Sequence, residues 1–246
     1  MAVALYMPLI SKMTPCIRWP LLLCSLVGTA AGCASSQGLS SGALQDVMRE
    51  EESRFVDTPA GNVAPARPNA PQLGLYLIPT GFLHREFEWA ARDRDIVLAW
   101  SKRIPLGTGG QSTGFLTLSS LRGHTLKELR ASATRYGIDW LLVFDGAAAV
   151  DRYNNYKAGL LYWTILGAYL ADGTHSDALC VLKATLWDVR TGARIFGEEA
   201  EARTNTVGPA ALVDDQQGIE RTRTAAMNIL LERLTNRFAM LAQTGR

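Results

Sequence analysis

The chain is poor in the residue groupings that build catalytic centres. Its three histidines, His84, His124 and His175, stand far apart in 246 residues. None has a second ligand at a metal-binding spacing such as His-x-x-x-His. There is no Gly-x-Ser-x-Gly elbow and no cysteine-histidine pairing. The run Gly107–Gly114 is rich in glycine but lacks the Gly-Lys-Ser/Thr ending of a phosphate loop, so it reads as a flexible loop. Asp145 and Asp151, with Arg152 beside them, flank a strand end and read as solvated charges or turn caps. No catalytic residue, metal or cofactor is expected, and the chain reads as non-enzymatic.

Acidic residues are also missing from the beginning of the chain, where none precedes Asp46. That first stretch holds Lys12 and Arg18, then the apolar run Trp19-Pro-Leu-Leu-Leu-Cys-Ser-Leu-Val27, then small residues up to Cys33. This is the plan of an export signal, whose basic start meets an anionic membrane surface. The apolar run is too short to span about 30 Å of hydrocarbon. Met7 and Met13 are alternative starts, and the latter gives a more compact signal. Ala30-Ala31-Gly32-Cys33 fits a lipobox, with Ala30 where Leu is more usual. Residues 1–32 are therefore expected to be a lipoprotein signal peptide. Cys33 is expected to carry a diacylglyceryl thioether and an amide-linked acyl chain such as palmitate, and several chains together anchor stably. Ala34 follows Cys33 where inner-membrane retention would call for Asp, so the expected address is the outer membrane, facing the periplasm.

Of the four cysteines, Cys16 and Cys24 fall in the signal and Cys33 is assigned to lipid, which leaves Cys180. One thiol makes no internal disulfide, so the fold must hold without one in an oxidising compartment. Cys180 lies in an apolar strand pattern and reads as a small buried hydrophobe. Lys12 and Arg18 account for the nominal net charge of +2. The rest is balanced, with no basic excess to suit a nucleic-acid partner.

Residues 33–71 read as a lipidated, flexible tether: Ser, Gly and Gln first, a charged amphipathic stretch from Leu44 to Phe55 that could form a short helix, then Pro59, Pro65, Pro68 and Pro71. Residues 72–246 read as one globular α/β domain. Leu73–Pro79 is a short buried strand, and 86–104 is an amphipathic helix with Phe87, Trp89, Ile96, Val97, Trp100 and Ile104. A strand is expected at Phe115–Leu118. Thr125 and Glu128 then make a capping box, and Gly137 supplies a left-handed helix end. A strand from Asp139 towards Val150 comes next. Leu179–Val189 and Arg194–Thr204 form a hairpin about Gly192, and a helix over about 215–243 closes the chain. The fold class is α/β, in the sense of an α+β sandwich. It has a single mixed sheet with helices packed on it, in the order β-α-β-α-β-β-β-α. The helix arginines Arg221, Arg223, Arg233 and Arg237 read as solvated faces.

That order, with the junction Gly137-Ile-Asp-Trp-Leu-Leu-Val143 and the hairpin Leu186-Trp-Asp-Val-Arg-Thr-Gly192, resembles the TolB amino-terminal domain. Curli secretion subunits and the lipoprotein activators of penicillin-binding proteins share that fold. The resemblance covers roughly 72–243. A second set of residues, Leu161-Tyr-Trp-Thr-Ile-Leu-Gly-Ala-Tyr169 with Asp177 and Trp187-Asp188-Val189, resembles the rhombotarget lipoproteins of bacteria. That resemblance implies a link to a rhomboid-type protease system. The carboxyl terminus shows no Gly-Gly, apolar, basic sorting tail, and so departs from the pattern of a substrate.

The run Ala158–Ala171 is apolar for its length and carries Tyr162, Trp163 and Tyr169. It is too short for a spanning helix and lacks the alternation of a barrel strand. Two readings stay open: an insert that binds a partner or dips into the membrane, or a segment packed on the sheet. Aromatics dominate interface energetics, so Tyr162, Trp163 and Tyr169 are the candidate partner-binding residues. The expected function is a non-enzymatic binding or assembly module, held to the membrane by its lipid, for another envelope protein or for itself. The alternatives are a small-ligand-binding or enzymatic periplasmic domain with a pocket near Asp145 and Asp151, and a subunit of an oligomeric envelope secretion assembly.

Overall fold

The computed structural model of the chain describes residues 36–55, 71–79, 87–106, 111–115, 125–155, 169 and 172–244. In chain order the elements are α1 (Ser41–Phe55), β1 (Gln72–Leu77), α2 (Ala91–Ser101), β2 (Gln111–Phe115), α3 (Leu126–Arg135), β3 (Trp140–Asn154), β4 (Thr174–Asp188), β5 (Arg194–Gly208) and α4 (Asp215–Thr244). From β1 onward this is the expected order of alternating strands and helices, then three strands and a helix. The strands form one mixed sheet in the order β2-β1-β3-β4-β5. β1 pairs in parallel with both β2 and β3, with Leu73 opposite Trp140 and Leu77 opposite Phe144.

Two elements fall elsewhere than the sequence suggested. β2 lies at Gln111–Phe115, so it begins inside the stretch read as a glycine-rich loop and ends at Phe115, where the strand was expected to begin. Its place is set by main-chain pairing with β1 (Gln72 opposite Gln111, Leu75 opposite Phe115), a signal that side-chain periodicity does not carry. α2 begins at Ala91, so Phe87 and Trp89 precede the helix although both are buried. The backbone N–H of Ala90 donates to the Asp93 carboxylate at 2.8 Å, which fixes the helix start there.

Local signals elsewhere act as expected. Thr125 Oγ1 accepts from the N–H of Glu128, the Glu128 carboxylate accepts from the N–H of Thr125, and Gly137 takes a φ of 68° at the end of α3. Gly192 takes a φ of 75° in the β4–β5 turn, where Asp188 N–H donates to Ala193 O at 2.9 Å. Asp214 accepts from the N–H groups of Gln216 and Gln217 and so starts α4.

Side chains alternate across the sheet, so each strand serves two layers. On one face Leu73, Leu75, Leu142, Phe144, Cys180, Leu182 and Leu186 pack against Val97 and Trp100 of α2 and Met227, Leu230, Leu234 and Phe238 of α4. On the other face α3 covers Tyr76, Leu141, Val143 and Trp187 with Leu126, Leu129 and Ala133. Further along that face, Leu44 and Met48 of α1 cover Ala147, Leu179 and Val181.

The chain divides into two compact units. The larger takes residues 37–151, 176–206 and 214–246, and the smaller takes 1–36, 152–175 and 207–213. Among the described residues, no helix is long and apolar enough to cross a membrane.

Candidate functional site

Between the patch covered by α3 and the patch covered by α1, the second sheet face turns polar. Asp145 of β3 and Lys183 and Thr185 of β4 stand there, all three buried. Lys183 Nζ donates to Glu52 Oε2 at 2.5 Å, and Glu199 Oε1 of β5 lies 3.7 Å away. The ammonium thus sits between two carboxylates, one from α1 and one from the sheet. Asp145 Oδ1 accepts from the N–H of Gly146 at 2.8 Å. With Ile78, Val143 and Trp187 these residues line a cavity of about 20 Å³. That is room for a single water, far below the roughly 300 Å³ at which ligand pockets begin.

Asp145 and Asp151 do not converge on one pocket. Asp151 Oδ2 accepts from the N–H of Gly38 at 2.9 Å, six residues along β3 from Asp145, or about 20 Å of strand. A larger open cleft of about 600 Å³ lies beside the end of α3, lined by Lys127, Arg130, Thr134, Asp139 and Arg190 among others. Its two central polar groups, Arg130 and Asp139, are committed to the fold. Arg130 donates to the carbonyls of Val189 (2.7 Å) and Arg190 (2.8 Å), and the Asp139 carboxylate accepts from the N–H of Gln72 at 3.0 Å.

Cys180 is fully buried on the helix-covered face, as its strand pattern predicts. Burial pushes its thiol up to about 12, over the opposing pull of Arg223. A thiol so disposed is not a nucleophile at neutral pH. Burial likewise raises the Tyr76 hydroxyl. Arg223 departs from the solvated reading given to the helix arginines: it is buried, paired with Asp93, and donates to Glu88 O at 2.7 Å. Among the described residues, no three His, Cys, Asp or Glu side chains gather as metal ligands. His175 stacks on Tyr153 with ring centroids 5.0 Å apart and planes 4° from parallel.

Of the expected functional residues, Cys33, Tyr162 and Trp163 lie outside the described residues. Tyr169 is described and is 54% exposed. It belongs to the smaller unit, as do two further large hydrophobic residues in contact with solvent, Val207 (49%) and Leu212 (67%). Neither of these was marked by the sequence, since a lone Val near the end of a strand and a lone Leu in the loop after it carry no periodic signal.

No family model matches the chain. No curated protein matches it either. Solved structures with some likeness to it include a neuraminyllactose-binding hemagglutinin homolog from Helicobacter pylori, with a TM-score of 0.42 and 10% identity over 75% of this chain and 92% of that one. A minor lipoprotein from Acinetobacter baumannii gives a TM-score of 0.34 and 12% identity over 69% of this chain and 91% of that one. A lipoprotein from Neisseria meningitidis gives 0.29 and 13% identity over 69% and 98%. Likenesses of this degree carry no inference about function.

Proposed function

We propose that the protein is a lipid-anchored envelope protein whose smaller unit docks on another envelope protein, with no chemistry of its own. The observation that carries the reading is the solvent-facing trio Tyr169, Val207 and Leu212, contributed to one compact unit by two separate stretches of sequence. Tyr136, Ile229 and Met240 of the larger unit are exposed as well, but the smaller unit carries its three in far fewer residues. Apolar side chains left in water are the material of an interface core where they form a patch. Tyr162 and Trp163 belong to the same stretch of sequence as Tyr169 and extend the same chemistry.

The anchor rests on the lipobox Ala30-Ala31-Gly32-Cys33, with Cys33 carrying diacylglycerol and an N-acyl chain and Ala34 favouring the outer membrane. The resemblance to rhombotarget lipoproteins, and more distantly to the TolB amino-terminal fold, supports an envelope role and leaves a rhomboid-type protease as a candidate neighbour. Cys33→Ser should abolish labelling by radioactive palmitate and release the chain from the membrane fraction.

The docking reading is tested by photo-crosslinking in cells. Benzoyl-phenylalanine is placed at Tyr169 and at Leu212, and at Tyr136 of the larger unit as a control that is 69% exposed. One envelope protein captured from both 169 and 212, absent from 136, and lost when Tyr162 and Trp163 become Ala supports the reading. A ladder of self-adducts would instead indicate a subunit of an oligomeric assembly. Capture of nothing from 169 and 212 would overturn the interface.

A further inference from the structure

β5 is an edge strand fifteen residues long, while the opposite edge, β2, has five. A free edge presents unpaired N–H and C=O groups, and natural sheets usually blunt such edges. Here the blunting stops part-way. Arg233 of α4 donates to the carbonyl of Glu199, and Arg237 Nε pairs with Glu198 Oε1 at 2.5 Å. Beyond them, among the described residues, none outside the sheet bonds to the backbone of residues 200–206. Pro, the usual edge-breaker, is absent from Arg194–Gly208.

The side chains along this stretch are self-complementary. Glu199, Glu201, Arg203 and Asn205 are exposed on one face, while Ala200 and Ala202 pack towards α4 on the other. Neither Glu201 nor Arg203 has an ion pair or side-chain hydrogen bond among the described residues. Two copies of the strand run antiparallel about a twofold axis only in registers that set residues of the same face opposite each other. With the axis at Ala202, Glu201 of each copy faces Arg203 of the other, and Glu199 faces Asn205. Moving the axis to Ala200 sets Glu199 against Glu201. Axes at Glu201 and Arg203 set like charges against themselves. An axis at Thr204 makes no ion pair. One register alone combines two cross-strand ion pairs with no like-charge contact.

We propose that β5 pairs with β5 of a second copy of this chain, antiparallel and centred on Ala202, joining two sheets into one across a closed dimer. The contact is isologous and uses the larger unit, so it stands apart from docking of the smaller unit on a different protein. A lipid anchor would hold both copies at one membrane surface and raise their effective concentration.

The test is the mass of the full chain, purified in mild detergent, by sedimentation equilibrium. The wild-type chain should weigh as two copies. Glu201→Arg and Arg203→Glu each replace two ion pairs by two repulsions and should weaken the dimer about tenfold or more. The double exchange Glu201→Arg with Arg203→Glu should restore it. Both side chains are exposed, so folding is left intact, and circular dichroism confirms this for each variant. As an independent readout, Ala202→Cys should trap a reducible dimer in cells, because the directly opposed residues of an antiparallel pair lie within disulfide reach. Ala200→Cys, whose own counterpart falls several residues away in this register, should not. A single-copy mass for the wild type, or a dimer indifferent to both charge reversals, overturns the proposal. Photo-crosslinking at Tyr169 and Leu212 reads the other interface and is unaffected by either result.

Discussion

Arg223 of α4 sets its Nε 3.1 Å from Oδ2 of Asp93 at the start of α2, with both side chains almost wholly withdrawn from solvent. The guanidinium is close enough for an ion pair but lies off the line of a hydrogen bond at Nε, and its Nη1 donates instead to Glu88 O. The same carboxylate oxygen accepts from the N–H of Ala90. One side chain therefore starts a helix and neutralises a buried charge on the neighbouring helix.

Removing Asp93 should be costly because Arg223 would be left buried and uncompensated. Asp93→Ala is expected to destabilise the protein by about 3–5 kcal/mol, read from urea unfolding. Asp93→Asn, which keeps an acceptor for Ala90, should retain more of the helix start and less of the ion pair. An effect of either variant below about 1 kcal/mol would mean that the pair is not buried as described.

α1 depends on little for its place. Two apolar side chains, Leu44 and Met48, meet Ala147, Leu179 and Val181, and Glu52 reaches Lys183. Met48→Ala should cost roughly 2–4 kcal/mol, in the range for large-to-small changes at buried sites. Local elements held by few contacts open on their own. The loss should therefore appear first as faster amide exchange across Ser41–Phe55, with α4 and β4 unchanged. Uniform loss of protection through the sheet would show instead that α1 is part of the cooperative core.

These two contacts also mark where the sequence stops being legible. Thr125, Glu128, Gly137 and Gly192 announce their structures because each acts within a few residues of itself. The alternation of Cys180, Leu182, Ala184 and Leu186 announces a strand with one fully buried face for the same reason. Asp93 and Arg223 carry no such signal: an acid in a first turn and an arginine in a long helix each look solvated until the fold brings them together. β2 was expected four residues too far along, at Phe115–Leu118, because Gln-Ser-Thr-Gly-Phe is placed by the backbone of β1 rather than by an apolar pattern. At the candidate interface, Tyr169 stood out as an aromatic in an apolar run. Val207 and Leu212 emerge only when exposure is known.

Cys180 should behave as a reporter of unfolding. With its thiol held up at about 12 by burial, native protein should resist iodoacetamide at pH 8, and labelling should follow the unfolding transition. The sign of the pH effect follows from linkage. The unfolded thiol ionises near its ordinary value of 9.0, whereas the folded thiol stays neutral. The stability it lends is full below pH 9 and is lost as pH rises towards 12. Cys180→Ala should remove that alkaline slope while leaving neutral-pH stability only modestly lower. Rapid alkylation of the native protein would contradict the burial.

Gly146 occupies a gap that only glycine fits. It lies in the middle of β3 on the face covered by α2 and α4, and a Cβ there would stand 2.5 Å from Cζ of Phe87 and 2.7 Å from Cδ2 of Leu182. Both neighbours are among the most deeply buried side chains, so neither can swing into solvent. Phe87 is further held edge-on against Trp89, with centroids 4.8 Å apart. Gly146→Ala is therefore expected to cost about 1–3 kcal/mol through overpacking, despite alanine having the better backbone entropy in a strand. Phe87→Leu should itself destabilise by leaving a void, yet in the Gly146→Ala background it should recover part of the loss, because the added methyl moves into the vacated space. The two changes would then be less costly together than their sum, a coupling that thermal or urea unfolding of all four variants measures directly. Strict additivity would place Phe87 elsewhere and remove the reason for glycine at this position.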